Sequence, residues 1–387
     1  MTVHDFSCFS CLQLSHPFSN NQPSHAECSR CGNPSSQFNP TTIRQPYLNI
    51  ILPINASMTQ NTLIDSKELV VVITGADSGF GAGIVEELNR RGGYTIYATC
   101  LTKEAVEKYQ ARDSDRLRAT QVDVTNQDDV NRLRTQVEAE CPQSVYCVFN
   151  NAGVYLGGFF DFSTEEGFQK IMDVNYMGVV RITKALVPSL RTYARSRHHA
   201  VLAGAGQQKL PRARLLTITS VGARSNTPGF SGYSASKHAT ASLLDTLRVE
   251  LSPWEIDVSM LEPTCAKTPL AASFELIAER NWKNADEMIQ RMYTPSFVEQ
   301  WVLNSKLFYT QAAPSEWVVE AAVNAIVKTG GASSARVMVG PRMLLWFIWF
   351  QEKLPDWLSD HLSRFVVKQQ GLWPADPFLL QDDIKEE

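Results

Sequence analysis

Tyr233 and Lys237 stand four residues apart in Tyr233-Ser234-Ala235-Ser236-Lys237. On a helix that separation is about one turn, so both side chains leave the same face. An ammonium beside a phenol favours the phenolate and draws the tyrosine pKa down. Such a pair can trade a proton with an alcohol or a carbonyl near neutral pH. Far upstream, Thr74-Gly75-Ala76-Asp77-Ser78-Gly79-Phe80-Gly81 is a glycine-rich turn between an apolar run and a helical pattern. Glycines there let the backbone approach a pyrophosphate, and the helix N-terminus supplies N–H donors. Turn and pair together imply an enzyme that holds a dinucleotide and moves a proton on or off a substrate oxygen.

Four other positions have the right chemistry. Asp123-Val124 closes a predicted strand, where an acid can accept from an adenine amino group or cap the next helix. Asn150-Asn151-Ala152-Gly153 follows another strand, at the carboxyl edge where ligands bind, or forms a plain turn. Ser220 comes just after a strand and can hold a substrate oxygen or cap a turn. Asn175 lies in a helical stretch, 169–190, where asparagine is unfavourable, so a local kink with a bound water is expected.

These residues need elements to position them. Leu69-Val70-Val71-Val72-Ile73 is short, apolar and β-branched, the pattern of a buried parallel strand. Further strands are predicted at 94–99, 118–124, 145–149, 215–219, 256–261 and 336–339. Helical periods fall between them, as at 82–91 and 128–140. The alternation predicts an α/β fold, a Rossmann-type doubly wound parallel sheet with helices on both faces, forming a single domain over 66–370. Residues 1–65 are rich in Ser, Asn, Pro and Gln and are expected to be a disordered tail; 371–387 are expected to be a second tail. Residues 196–212 are long for an αβ connection and are expected to be a surface insertion, with His198 and His199 solvated.

Composition narrows the function. Apolar residues make up 44 % and charged residues 20 %, ordinary for a globular protein, and the net charge of −4 gives no reason to propose nucleic acid. No apolar run reaches the length of a membrane span. Met343-Leu344-Leu345-Trp346-Phe347-Ile348-Trp349-Phe350 is the longest, and suits a buried or substrate-lining segment or a membrane-surface contact. No secretory signal is expected at the start, so the sequon Asn55-Ala56-Ser57 is expected to be silent. Cys100, Cys141, Cys147 and Cys265 are expected to be free thiols. Cys8, Cys11, Cys28 and Cys31 have the spacing of a four-thiolate zinc knuckle, with His4, His16 and His25 nearby. The segment between the pairs has little with which to build a core. It also precedes Met58, an alternative working start.

With these motifs in their order and spacing, residues 66–370 resemble the short-chain dehydrogenase/reductase family. The glycine turn and Cys100-Leu101-Thr102, with Ser114-Asp115-Arg116-Leu117, look like its retinol and hydroxysteroid dehydrogenase branch and the related 3-hydroxybutyrate dehydrogenases. The resemblance implies Tyr233 as general acid/base, Lys237 as its activator and ribose ligand, Ser220 as holder of the substrate oxygen, and Asn175 as holder of a relay water. It implies cofactor contacts from Gly75, Asp77, Ser78, Gly79, Phe80, Gly81, Asp123, Val124, Asn150, Ala152, Gly153 and Thr268. It also makes 264–310 a lid over the substrate. Pro263-Thr264 departs from the family's Pro-Gly, placing a Cβ near the nicotinamide, where strain is expected.

Asp77 in the turn, and no arginine just after the second strand, favour NAD over NADP. The lid's Leu270, Phe274, Leu276, Ile277, Trp282, Met288, Met292, Tyr293, Phe297, Trp301, Leu303 and Phe308 suit an apolar small-molecule substrate such as a retinoid or steroid. Its cations Lys267, Arg280, Lys283 and Arg291 keep a small hydroxy acid open. A dinucleotide-sensing, non-catalytic protein is the reading from a different class. The branch implies a membrane-associated place at the endoplasmic reticulum or a cytoplasmic one, with mitochondria as an alternative, and a homo-oligomer.

Overall fold

Burial on both faces explains why Leu69-Val70-Val71-Val72-Ile73 reads as an unbroken apolar run instead of an alternating one. Every residue of Leu69–Thr74, Val145–Asn150, Arg214–Ile218 and Asp257–Pro263 is buried. The computed structural model describes the backbone at 49–50 and residues 69–112, 114–141, 145–202, 210–328 and 333–374. The N-terminal cysteines and histidines lie outside the described residues. In chain order the strands are β1 (Asn49–Ile50), β2 (Leu69–Thr74), β3 (Tyr94–Cys100), β4 (Leu117–Gln121), β5 (Val145–Asn150), β6 (Arg214–Ile218), β7 (Asp257–Pro263) and β8 (Arg336–Val339). They form one parallel sheet in the order β1-β8-β7-β6-β5-β2-β3-β4. The chain runs outward from β2 to β4, then returns to lay β5 beside β2. Strand order therefore reverses between β2 and β5, and a crevice opens at their carboxyl ends.

The helices are α1 (Gly79–Arg91), α2 (Lys103–Gln110), α3 (Gln127–Glu140), α4 (Glu165–Met172), α5 (Gly178–Leu202), α6 (Ser231–Glu250), α7 (Pro269–Ala272), α8 (Phe274–Lys283), α9 (Glu287–Met292), α10 (Pro295–Thr310), α11 (Ser315–Val327), α12 (Arg342–Gln351) and α13 (Asp356–Gln369). α1 packs on α11, α3 on α5 and α4 on α6, so helices cover both faces of the sheet. The doubly wound parallel fold expected from the sequence is the fold observed.

Three local differences stand out. β4 ends at Gln121, two residues short of Asp123. The stretch predicted as one helix around Asn175 is α4, a five-residue π-helical turn over Asp173–Met177, then α5. A π turn widens the helix at the expected kink and re-aims its backbone groups. The insertion begins as helix, since α5 continues to Leu202 with His198 and His199 exposed. Its far end is tied down, with Tyr193 donating to the Pro211 carbonyl at 3.0 Å and Arg197 to the Leu210 carbonyl at 2.9 Å.

Candidate active site

The glycine turn is held open by a lattice of backbone contacts. Gly75 has φ +67°, and a Cβ there would come within 2.8 Å of the Ala152 backbone. The Asn151 amide donates to the carbonyls of Thr74 and Gly75 at 2.9 and 2.8 Å. The Thr74 hydroxyl accepts from the N–H groups of Asn151 and Ala152. β2 and β5 are thus locked at the point where their order reverses. Ser78 precedes α1 and makes no side-chain cap, so the first-turn amides of α1 are left for a ligand. Asp77 borders the cavity with its carboxylate already engaged. Its carboxylate accepts from the Leu101 and Thr102 N–H groups and the Thr102 hydroxyl, each at 2.9 Å, pinning the loop after β3.

The catalytic candidates meet at the next two strand ends. Tyr233 and Lys237 share one face of α6, with the Lys237 ammonium 5.6 Å from the Tyr233 ring centre. The ammonium donates to the Ile218 carbonyl at 3.1 Å, at the end of β6. Burial pushes Lys237 down to about 8, because an ammonium loses its hydration there. Burial likewise pushes the Tyr233 phenol up to about 12, with the Ser220 hydroxyl pulling the other way and the Cys265 thiol adding to the rise. This corrects the expectation of a phenol made acidic by its lysine. Desolvation of the buried phenol is the largest effect on it, and Lys237 is not among the groups that shift it. Ser220 also accepts from the Gly222 N–H at 3.0 Å, so it caps the short turn Val221–Ala223 while facing the phenol.

Three predicted residues sit behind the site. Asn175 is buried; its side chain accepts from the Val154 N–H at 2.8 Å and donates to the Val154 carbonyl and the Ser236 hydroxyl, both at 3.0 Å. It braces the loop after β5 against α6. Asn150 points away from the crevice toward Thr183 and Thr217, because side chains alternate along β5. Gly81 packs under the turn, where a Cβ would strike the Gly75 carbonyl. Asp123 turns its carboxylate to the Thr125 N–H and hydroxyl, closing a local turn, while Asn126 and not Asp123 caps α3; Asp123 still reaches the cavity wall.

A cavity of about 860 Å3 joins these groups. Gly75, Asp77, Ser78, Gly79, Phe80, Asp123, Val124, Ala152, Gly153, Ser220, Tyr233, Lys237 and Thr268 line it; Asn150, Asn175 and Gly81 do not. Uncapped α1 amides at one end and a proton-handling pair further along fit a nicotinamide dinucleotide. Of the lid aromatics, Phe274, Trp301 and Phe308 line the cavity with Leu270. Tyr293 and Phe297 instead join Phe162 and Trp301 in a small core of their own, and Leu276 and Leu303 are exposed. The sequence reading missed Leu362 and Val366 on α13, and Leu372, as cavity residues. Their helical spacing was visible, but nothing local says which face meets the site. Thr264 is not strained. Its φ is not positive, and its side chain fills the space above Gly340, where a Cβ would lie 2.3 Å from its hydroxyl.

Residues 69–276, more than half of the chain, match the model of the short chain dehydrogenase family. The chain is a short-chain dehydrogenase. Such an enzyme is a nicotinamide-dinucleotide-dependent oxidoreductase acting on hydroxyl groups, in keeping with its crevice. Human retinol dehydrogenase 5 is 31 % identical over 243 residues, which cover 62 % of this chain and 70 % of that one. Rat mitochondrial D-beta-hydroxybutyrate dehydrogenase is 25 % identical over 305 residues, covering 76 % and 82 %. Rat 17-beta-hydroxysteroid dehydrogenase type 6 is 30 % identical over 235 residues, covering 59 % and 67 %. Among solved structures, a Burkholderia phymatum short chain dehydrogenase/reductase in complex with NAD shares the fold, with TM-score 0.56 and 22 % identity, covering 82 % of this chain and all of that one. A Burkholderia cenocepacia short chain dehydrogenase in complex with NADP has TM-score 0.54, 22 % identity, and coverage of 77 % and 98 %. In this short-chain dehydrogenase Cys100, Cys141, Cys147 and Cys265 are free thiols. No group of metal-ligating side chains occurs among the described residues.

Proposed function

We propose that this protein interconverts a bulky apolar alcohol, of retinoid or steroid type, and its carbonyl, using NAD(H). One observation carries the substrate class. Beyond Tyr233 and Ser220 the cavity wall is Leu270, Phe274, Trp301, Phe308, Phe347 and Val366, while Lys267, Arg280, Lys283 and Arg291 do not line it. Lys170 is the one cation of the lining besides Lys237, and the apolar side chains of this wall favour an apolar substrate over a small hydroxy acid. Retinol and 17-beta-hydroxysteroid dehydrogenases among the relatives agree with this reading.

Tyr233 gives or takes the proton at the substrate oxygen, Ser220 holds that oxygen, and Lys237 keeps donors for the cofactor ribose. Asn175 holds the geometry: Ser236, which accepts from it, in turn donates to the Tyr233 carbonyl at 2.7 Å. The bound nicotinamide supplies the hydride donor or acceptor. The preference for NAD rests on charge. The cavity is lined by Asp77 and Asp123 and by no arginine, and Asp77 already uses the N–H groups of Leu101 and Thr102. A ribose phosphate beside Asp77 would meet negative charge and no arginine.

The test follows nicotinamide absorbance with both cofactors and a panel of retinoids, steroids and 3-hydroxybutyrate. Turnover of apolar alcohols with NAD is the expected result. Turnover of 3-hydroxybutyrate alone overturns the substrate class, and preference for NADP overturns the cofactor assignment.

A membrane surface is the partner this chemistry favours. No helix among the described residues is long and apolar enough to span a bilayer. Met343, Trp346 and Phe350 of α12, with Trp357 and Phe365 of α13, are exposed. Such a face suits shallow insertion at a lipid interface. Co-sedimentation of the full chain with phospholipid vesicles tests it, and a chain that stays in the supernatant refutes it.

A further inference from the structure

The turn that carries Ser220 is clasped from outside the sheet by α12, and the clasp has an apolar and an ionic half. Val221, the residue after Ser220, packs with Met338, Leu344, Leu345 and Ile348. Arg224, at the end of the same turn, donates through Nη1 to both Glu352 carboxylate oxygens, at 2.9 and 3.1 Å. Its Nε donates to Glu262 on β7 at 2.5 Å. Both ends are partly shielded, with side-chain exposures of 11 % for Arg224 and 21 % for Glu352. Glu262 is fully buried and also accepts from Arg336 at 2.6 Å, and Arg336 pairs with Asp245 on α6. The charges alternate in sign from α12, through the Ser220 turn and two strands, to the helix bearing Tyr233 and Lys237. Gln351, the residue before Glu352, and Phe347, one turn further back on α12, line the cavity.

We propose that Arg224 is a positioning residue whose ion pair with Glu352 couples substrate contacts on α12 to the placement of Ser220. α12 is then a specificity element, felt by substrates long enough to touch Phe347 and not by short ones. This rests on the proposed apolar substrate. Arg224 is held from two sides, its Nη1 shared by both Glu352 oxygens and its Nε on Glu262, so the end of the Ser220 turn is fixed between α12 and β7. Displacing the Ser220 hydroxyl by a fraction of an ångström is enough to change its alignment with the substrate oxygen.

Glu352→Gln in the full chain is the test. It keeps size and removes the charge, and Arg224 retains Glu262, so no buried charge is stranded. The KM for all-trans-retinol should rise about tenfold, while kcat/KM for isopropanol should be unchanged. Glu352→Asp should recover part of the loss. Independently of turnover, binding of NAD with all-trans-retinol should slow hydrogen exchange of the 221–224 amides in the unsubstituted protein and not in Glu352→Gln. Equal losses on long and short alcohols, no loss on either, or protection of 221–224 that survives the substitution each overturn the coupling. Absence of that protection in the unsubstituted protein overturns it as well. Failure of the functional reading shows differently, as no turnover of any apolar alcohol by the unsubstituted chain.

Discussion

Two cations are buried at opposite ends of β6, and the protein uses them differently. Arg214, at the start of the strand, has no exposed surface. Its guanidinium donates to the carbonyls of Ala325, Ile326 and Lys328 and lies 5.7 Å from the Tyr146 ring centre. Those carbonyls end α11, where a helix leaves its acceptors unpaired and its dipole negative. Lys237, at the other end, has one hydrogen-bond acceptor among the described residues, the Ile218 carbonyl, and faces the cavity. A planar fork whose two terminal nitrogens meet helix-end carbonyls holds a helix to a strand. An ammonium with spare donors beside a cavity costs folding free energy and keeps its donors for a ligand.

That contrast is open to attack at several points. The largest effect is expected at the group Lys237 serves: Tyr233→Phe should cut kcat by about 10^4-fold, with cofactor affinity retained in a fluorescence titration. Retained turnover would remove the reason for a functional lysine. Lys237→Met should cut kcat by about 10^3-fold and weaken cofactor binding, yet leave thermal stability equal or higher, since a buried charge disappears. Arg214→Met should do the reverse, lowering stability by about 3 kcal/mol in denaturant titrations while the folded fraction turns over normally.

The pH dependence sharpens the contrast further. Lys237 sits at about 8 when folded, against 10.5 for the free side chain. Between those values the unfolded chain binds the extra proton, so this group makes stability rise with pH above about 8. Tyr233 is raised from 10 to about 12 and acts oppositely above pH 10, where the unfolded chain has lost a proton that the folded one keeps. The unsubstituted protein should therefore gain stability relative to Lys237→Met between pH 8 and 10, and a flat difference would show that the ammonium is not desolvated. The smallest effect is expected at Thr264→Gly, which empties the space over Gly340 and should cost about 1 kcal/mol with cofactor affinity unchanged.

The same contrast explains what could be read in advance. β2, the glycine turn and the Tyr233–Lys237 spacing are local patterns, set within a few residues by periodicity and backbone sterics, and all were legible. Asp123 was legible as an acid after a strand, but its hydrogen bonds went to Thr125, only two residues on. Asn150 looked like a ligand residue until the pleat of β5 turned it toward Thr183 and Thr217. The lid's aromatic content was plain; that most of it packs with Phe162 and its neighbours was not, because those partners lie over a hundred residues away.

By itself the chain's order of residues determined a parallel α/β sheet, a dinucleotide turn at the head of a helix, and a phenol, an ammonium and a hydroxyl within reach of one another. Only the tertiary structure decided their protonation, since desolvation depends on everything packed around a group and not on its neighbours in sequence. It also decided that Arg214 is a clamp, that Thr264 is unstrained beside Gly340, and that α12 closes on the Ser220 turn through Arg224. Each of these depends on a contact between distant segments, for which no local pattern exists.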